Sequence, residues 1–178
     1  LASHKGIIAN PNCSTIQMVV VLKPLYERAG VRRIVVSTYQ AVSGAGQSAV
    51  DELRGQVEAA GSGNPPEARE MPHPIAFNCL PQIDVFLDEG DTKEERKMVD
   101  ETRKILGTPG LPVSATCVRV PVYNAHSESV NVETERPLSP EEARELIAAA
   151  AGVEVIDDPA RLAYPMALSA SGRDPVYV

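Results

Sequence analysis

Cys13 is the first residue with chemical potential. It lies in Asn10-Pro11-Asn12-Cys13-Ser14-Thr15, a turn whose polar side chains suit a helix N-cap, and a helical stretch follows. A thiol at a helix N-terminus faces unpaired backbone N–H groups and the positive end of the helix dipole. Both favour thiolate over thiol and make the cysteine a nucleophile near neutral pH. The same N–H groups can hold an oxyanion formed on a substrate carbonyl. The competing reading is a small buried hydrophobe. Cys79 and Cys117 sit in strand-like apolar surroundings and read as inert. A cysteine nucleophile needs a base, and His126 is the best placed. It follows Pro121-Val122-Tyr123-Asn124-Ala125 and precedes an alternating stretch, so it falls in a connection between strands. Its competing reading is a turn histidine bonded to backbone. His4 and His73 have weaker contexts.

Three further features carry charge or close approach. Glu94 and Lys97, three apart, share one helix face. By themselves they read as a solvated ion pair. Arg119 interrupts the apolar strand Thr116-Cys117-Val118-Arg119-Val120-Pro121. Its guanidinium must meet a carboxylate, a phosphate or solvent. Gly44-Ala45-Gly46-Gln47-Ser48-Ala49 matches the G-x-G-x-x-A dinucleotide pattern between a strand and a helix. No βαβ continuation follows it, so it reads as a tight turn that lets a ligand approach backbone.

The elements that must position these residues follow from periodicity and caps. Ile16 to Arg28 reads as a buried helix, kinked or divided by Pro24 and stopped by Gly30. Arg33 to Tyr39 is a β-branched strand, and Gln47 to Ala60 a helix. Gly61 to Pro74 is a functional or mobile loop, and Ile75 to Phe86 holds short extended pieces. Thr92-Lys93-Glu94-Glu95 is a capping box for a helix to about Leu106, and it assigns Glu95 to the cap while leaving Glu94 free. Val113 to Val122 and Ser127 to Thr134 alternate as strands. Ser139-Pro140-Glu141-Glu142 is a second capping box for a helix to about Ala151, and Val153 to Ile156 is a short strand. This order predicts an α+β fold, a mixed sheet covered by helices.

Composition excludes several function classes. The 178 residues suffice for one core, with 43% hydrophobic residues and a net charge of −7. That charge argues against nucleic acid or an anionic membrane as the main partner. The longest apolar run, Met18 to Leu22, is far too short to span a bilayer. Three cysteines without a C-x-x-C favour a reducing cytoplasm over a disulfide framework or zinc site. The chain begins at Leu1 and ends at Val178 in what reads as the start of a strand, which suggests part of a longer protein.

Gly6-Ile7-Ile8-Ala9-Asn10-Pro11-Asn12-Cys13-Ser14-Thr15-Ile16-Gln17 closely resembles the nucleophile segment of bacterial aspartate-β-semialdehyde dehydrogenases. Val36 to Gly46 resembles that family's next block, and Arg119-Val120-Pro121-Val122 with His126-Ser127-Glu128 its third. The matches run in family order along the whole chain. The resemblance implies a catalytic and dimerisation domain over residues 1–178, like the C-terminal domain of glyceraldehyde-3-phosphate dehydrogenase. It also implies an NADP-binding Rossmann domain and a final helix outside this chain.

By the same resemblance, Cys13 is the nucleophile that forms a thioacyl enzyme and His126 the acid/base. Gln40 orients the intermediate. Arg119 grips the substrate α-carboxylate, Glu94 its amino group, and Lys97 the phosphate. Asn12 contributes to the anion pocket. Ser43 and Gly44 face the nicotinamide end of NADP. The implied reaction is NADPH-dependent conversion of aspartyl-4-phosphate to aspartate semialdehyde and phosphate, on the way to lysine, threonine and methionine, by a homodimer or dimer of dimers. Asn12 and Ser14 beside the cysteine argue against glyceraldehyde-3-phosphate dehydrogenase and N-acetylglutamyl-phosphate reductase. A malonyl-CoA reductase paralogue, a non-catalytic self-association module and a cysteine hydrolase are the competing readings.

Overall fold

A computed structural model describes residues 3–178; the first two residues of the predicted domain span lie outside the described residues. Its centre is β1 (Val31–Gln40), ten residues rich in β-branched side chains. β1 pairs in parallel with β2 (Val113–Arg119) and antiparallel with β3 (Ser127–Thr134), giving a three-stranded mixed sheet of order β2-β1-β3. Register decides what meets the site. Gln40 lies beside Arg119, and Thr38 lies between Cys117 and Glu128. Alternation along β1 buries Ile34, Val36, Thr38 and Gln40 on one face. The opposite face carries Tyr39, which is exposed.

Two helices cover the buried face. α1 (Cys13–Ala29) turns Met18, Leu22, Leu25 and Ala29 into the core, and α3 (Lys93–Leu106) adds Met98 and Leu106. Each fully buried Leu or Met side chain contributes roughly 1.5–3 kcal/mol. Of the kink or division expected at Pro24, the division is not there: α1 runs through it and is capped by Gly30. Proline removes one helical hydrogen bond, and burial of Leu22 and Leu25 on either side offsets that loss. α3 begins on the predicted capping box. The Thr92 hydroxyl accepts from the Glu95 N–H, and the Thr92 N–H donates to the Glu95 carboxylate at 2.7 Å. The other Glu95 oxygen accepts from the Cys117 N–H at 3.0 Å, which ties α3 to β2.

α2 (Gln47–Gly61) covers a smaller core of Val42, Ala49, Leu53, Met71, Ile75, Ala76 and Leu80. The long connection after α2 is anchored. The buried Gln56 amide accepts from the Ile75 and Ala76 N–H groups at 2.8 and 2.9 Å and donates to the Glu67 carbonyl at 2.8 Å. The stretch expected to be extended, 75–86, is irregular and makes only isolated bridges, such as Leu80 to Arg119. α4 (Pro140–Ala148) packs on α1 and stops short of Ala151. Ser139 accepts from the Glu142 N–H at 3.1 Å, but the reciprocal arm of that second predicted box is missing. The Glu142 carboxylate pairs instead with Arg28 of α1 at 2.6 Å. The last strand region forms its own parallel pair, β4 (Val153–Glu154) with β5 (Val176–Tyr177), and a short α5 (Ala167–Ala170) lies between them. Among the described residues no helix is long and apolar enough to cross a membrane.

Candidate active site

Cys13 is the first residue of α1, and Asn12 is its cap. Asn12 Oδ1 accepts from the N–H groups of Ser14 and Thr15 at 3.0 and 3.2 Å. The cap therefore takes two of the N–H groups expected to hold an oxyanion, because asparagine is among the strongest N-caps. Asn12 Nδ2 donates to Glu94 Oε1 at 2.9 Å, so the same side chain ties the start of α1 to α3.

Glu94 is the hub behind the thiol. It is 4% exposed, and its Oε1 also accepts from Gln40 Nε2 at 3.2 Å. Lys97 Nζ lies 3.5 Å from its Oε2. Gln40 is thus brought to Glu94 and to the Thr38 hydroxyl. Lys97 is no freely solvated partner. Its Nζ is also 3.2 Å from Asp84 Oδ2, in the irregular segment before α3. Burial pulls the Lys97 ammonium down, but the Asp84 hydrogen bond and the Glu94 charge outweigh it and raise it.

Arg119 and His126 approach from β2 and the start of β3. Arg119 is 6% exposed, so it does not point to water from an open strand face. Its Nη1 donates to the Ala41 carbonyl at 2.8 Å, and among the described residues no carboxylate lies within 4.0 Å of it. Burial lowers the guanidinium, and the Glu94 charge opposes this. The Ala41 N–H donates to His126 Nδ1 at 3.0 Å. His126 is thus a histidine bonded to backbone, the competing reading of its sequence context: one ring nitrogen accepts from the Ala41 N–H, and in the neutral ring the other, Nε2, carries the proton. Burial first, then Arg119, depress the His126 imidazolium below its usual range. Ala125, just before it, has a positive φ of 66°, as does Asp84 at 67°. Non-glycine residues held there cost on the order of 1–2 kcal/mol each.

Gly44 lies in a 3₁₀ turn, Val42–Ala45, directly over these groups. A Cβ there would sit 3.0 Å from Arg119 Nη1 and 3.2 Å from His126 Nε2. The turn reading of the glycine-rich stretch stands, and the missing side chain leaves a backbone ledge beside the site. Cys13 and His126 line one groove of about 960 Å³.

The electrostatics correct one expectation. Cys13 is exposed, but protein packed around its sulfur and the Glu94 carboxylate push the thiol up, against the pull of the Ser14 and Cys13 N–H groups. The N–H groups at the helix start do lower the thiol, but burial and the Glu94 charge outweigh them. Cys117 is buried, and burial pushes it up to about 12. Cys79 is exposed and not packed in apolar surroundings as its neighbours suggested.

Some participants carry weak signals or none. Glu101, whose Oε2 accepts from the Asn12 N–H at 2.7 Å, is seven residues from Glu94 and so on the same helical stripe. Asp84 and the Ala41 peptide carry no sequence mark. Among the described residues no cluster of three His, Cys, Asp or Glu has metal-site geometry.

Fold and site together define a mixed-sheet α+β domain built to carry a cysteine at a helix start, with a histidine along the same groove. The chain belongs to the semialdehyde dehydrogenase family: the model for the semialdehyde dehydrogenase dimerisation domain matches residues 22–178. It is 60% identical over 175 residues to an aspartate-semialdehyde dehydrogenase of Aquifex aeolicus (strain VF5), covering 98% of this chain and 52% of that relative. The crystal structure of aspartate semialdehyde dehydrogenase II of Vibrio cholerae complexed with ASA superposes with a TM-score of 0.91 at 48% identity, over 95% of this chain and 50% of that one. The Candida albicans enzyme with NADP gives 0.64 at 26% identity, over 96% of this chain and 46% of that one. The chain spans about half the length of the curated relatives it matches.

Proposed function

We propose that this chain is the catalytic and dimerisation domain of an aspartate-semialdehyde dehydrogenase, and that the complete enzyme converts aspartyl-4-phosphate to aspartate semialdehyde and phosphate. The observation that carries this reading is the relation of Glu94 to Arg119. Both are buried, their charges are opposite, and no ion pair joins them within 4.0 Å. Two buried charges left unpaired with each other suit a zwitterion set between them, with its ammonium on Glu94 and its carboxylate on Arg119. Asn12 and Gln40 fix the Glu94 carboxylate for that task. Lys97, held by Asp84, supplies the positive charge for a phosphate.

In this mechanism the Cys13 sulfur attacks the acyl carbon. The carbon–sulfur bond forms, the carbon–oxygen bond to phosphate breaks, and phosphate leaves beside Lys97 carrying the proton that the Cys13 thiol gives up. His126, neutral with its proton on Nε2, donates a hydrogen bond to the substrate oxygen as charge grows there. We take the turn of Ser43 and Gly44 as the backbone a nicotinamide group would meet; the reading is supported by Gly44, where a side chain would crowd Arg119 and His126. When bound, that cofactor, which we take to be NADP held mostly by a preceding domain, supplies the hydride. A reducing cytoplasm keeps free thiols such as Cys13 reduced, and we place the enzyme there. The family's dimerisation domain supports assembly as a homodimer or dimer of dimers.

The test is NADPH oxidation by the intact protein carrying this domain, given aspartyl phosphate or malonyl-CoA, with Cys13→Ser as the control. Turnover of aspartyl phosphate that is lost in the variant is the expected result. Turnover of malonyl-CoA alone, or full activity in Cys13→Ser, would overturn the reading.

A further inference from the structure

A hydrogen bond joins α1, which begins at the thiol, to β3, which begins one residue after the imidazole. Gln17 Nε2 donates to Glu128 Oε1 at 2.8 Å, across 111 residues of chain. Gln17 is four residues after Cys13, so the two share one side of α1. Glu128 is two residues after His126, pairs with the buried Thr38, and lies on the sheet face that the helices cover. Cys13, Gln17, His126 and Glu128 all line the same groove.

Glu128 is out of place by pattern. The next residues on its face of β3, Val130 and Val132, are apolar, and no cation pairs with Glu128 among the described residues. Burial pushes its carboxyl up to about 8, with the Gln17 amide as the opposing influence. A carboxyl in that position costs stability, and such costs are commonly met at functional sites. Among the described residues its side-chain hydrogen-bond partner is Gln17, on the helix that begins at the nucleophile.

We propose that Gln17 and Glu128 are positioning residues: their side-chain hydrogen bond braces α1 against β3 and sets the distance between the Cys13 sulfur and the His126 ring. The inference rests on the functional reading above. Asn12 fixes the start of α1 to α3, and Ala41 fixes the ring to β1. The Gln17–Glu128 bond spans α1 and β3 directly.

The experiment uses the intact enzyme and three variants, Gln17→Met, Glu128→Met and Glu128→Gln. The first two keep side-chain length and remove the bond; the third keeps an acceptor for Gln17. The brace predicts that kcat falls about ten- to a hundredfold in both Met variants, with KM for the acyl substrate nearly unchanged. Glu128→Gln is expected to stay within about threefold of the parent, and the double Met variant to be no worse than either single one. Unchanged kcat in the Met variants, equal losses in all three, or additive losses in the double variant would overturn the proposal. Cys13→Ser run in parallel separates the two readings. If it abolishes turnover while the Met variants remain active, only the brace fails; if it stays active, the functional reading fails.

Discussion

Arg119 and His126 are joined through a single peptide unit. The Ala41 carbonyl accepts from Arg119 Nη1 at 2.8 Å, and the Ala41 N–H donates to His126 Nδ1 at 3.0 Å. The end of β1 thereby orients a guanidinium and an imidazole together, and brings a fixed positive charge close to the ring. The neutral histidine keeps its proton on Nε2, and protonation at Nδ1 would break the bond to backbone.

The ring is therefore expected to titrate below its usual 6.5, since burial and Arg119 both disfavour the imidazolium. Replacing Arg119 with Met removes the second cause and moves the titration upward, while burial keeps it depressed. Ring-proton NMR across pH 4–8 reads both shifts, and a midpoint that ignores the substitution would contradict the coupling.

Glu94→Gln keeps acceptors for Asn12 and Gln40 and removes the charge that helps raise the Cys13 thiol. The thiolate fraction at pH 7 rises, and alkylation by iodoacetamide accelerates at least about twofold, given that one pKa unit is tenfold in thiolate. Cys79 is also exposed, so the rate is measured with Cys79→Ser present. Substrate binding by the intact enzyme should weaken in the same variant.

Gly44→Ala places a methyl group 3.0 Å from Arg119 Nη1 and 3.2 Å from His126 Nε2. Stability should change little, because Gly44 is exposed and its φ is not positive. The kcat/KM of the intact enzyme is expected to fall about tenfold or more, as displacement of positioned groups does. Steady-state kinetics beside thermal unfolding distinguish this from simple destabilisation.

Thr92→Ala removes one arm of the α3 cap and is expected to cost about 1 kcal/mol. Glu95→Ala should cost more, because Glu95 also accepts from the Cys117 N–H on β2. Urea unfolding ranks the two, and the reverse order would show that the tie to β2 contributes nothing.

Glu128 provides a pH signature in stability. Its folded carboxyl titrates at about 8, against 4.5 for an ordinary glutamate, so the folded state favours the neutral acid. That contribution is fully present below about 4.5 and is lost as pH rises through 8. Glu128→Gln cannot ionise, so its stability relative to the parent should climb between pH 5 and 8. A constant difference across that range would show that the carboxyl is not desolvated.

Local signals were readable without coordinates. The Asn12-Cys13 helix start, the Thr92–Glu95 box, the β-branched centre of β1 and the glycine turn at Gly44 each depend on residues within a few positions. Longer elements were less secure. Pro24 marks a break by local rules, yet burial on both sides carries α1 past it. Glu142 matches a capping pattern, yet Arg28 on another helix takes its carboxylate.

By itself the sequence determined which side chains this protein has for chemistry and which caps and periods build the elements under them, because those preferences act between chain neighbours. Only the tertiary structure decided what state those side chains are in. Burial raises the Cys13 thiol most, and Asn12 and Glu94, 82 residues apart, meet at 2.9 Å and set a carboxylate where it raises the thiol further. Coulomb forces and desolvation depend on distance through space, which spacing along the chain does not encode.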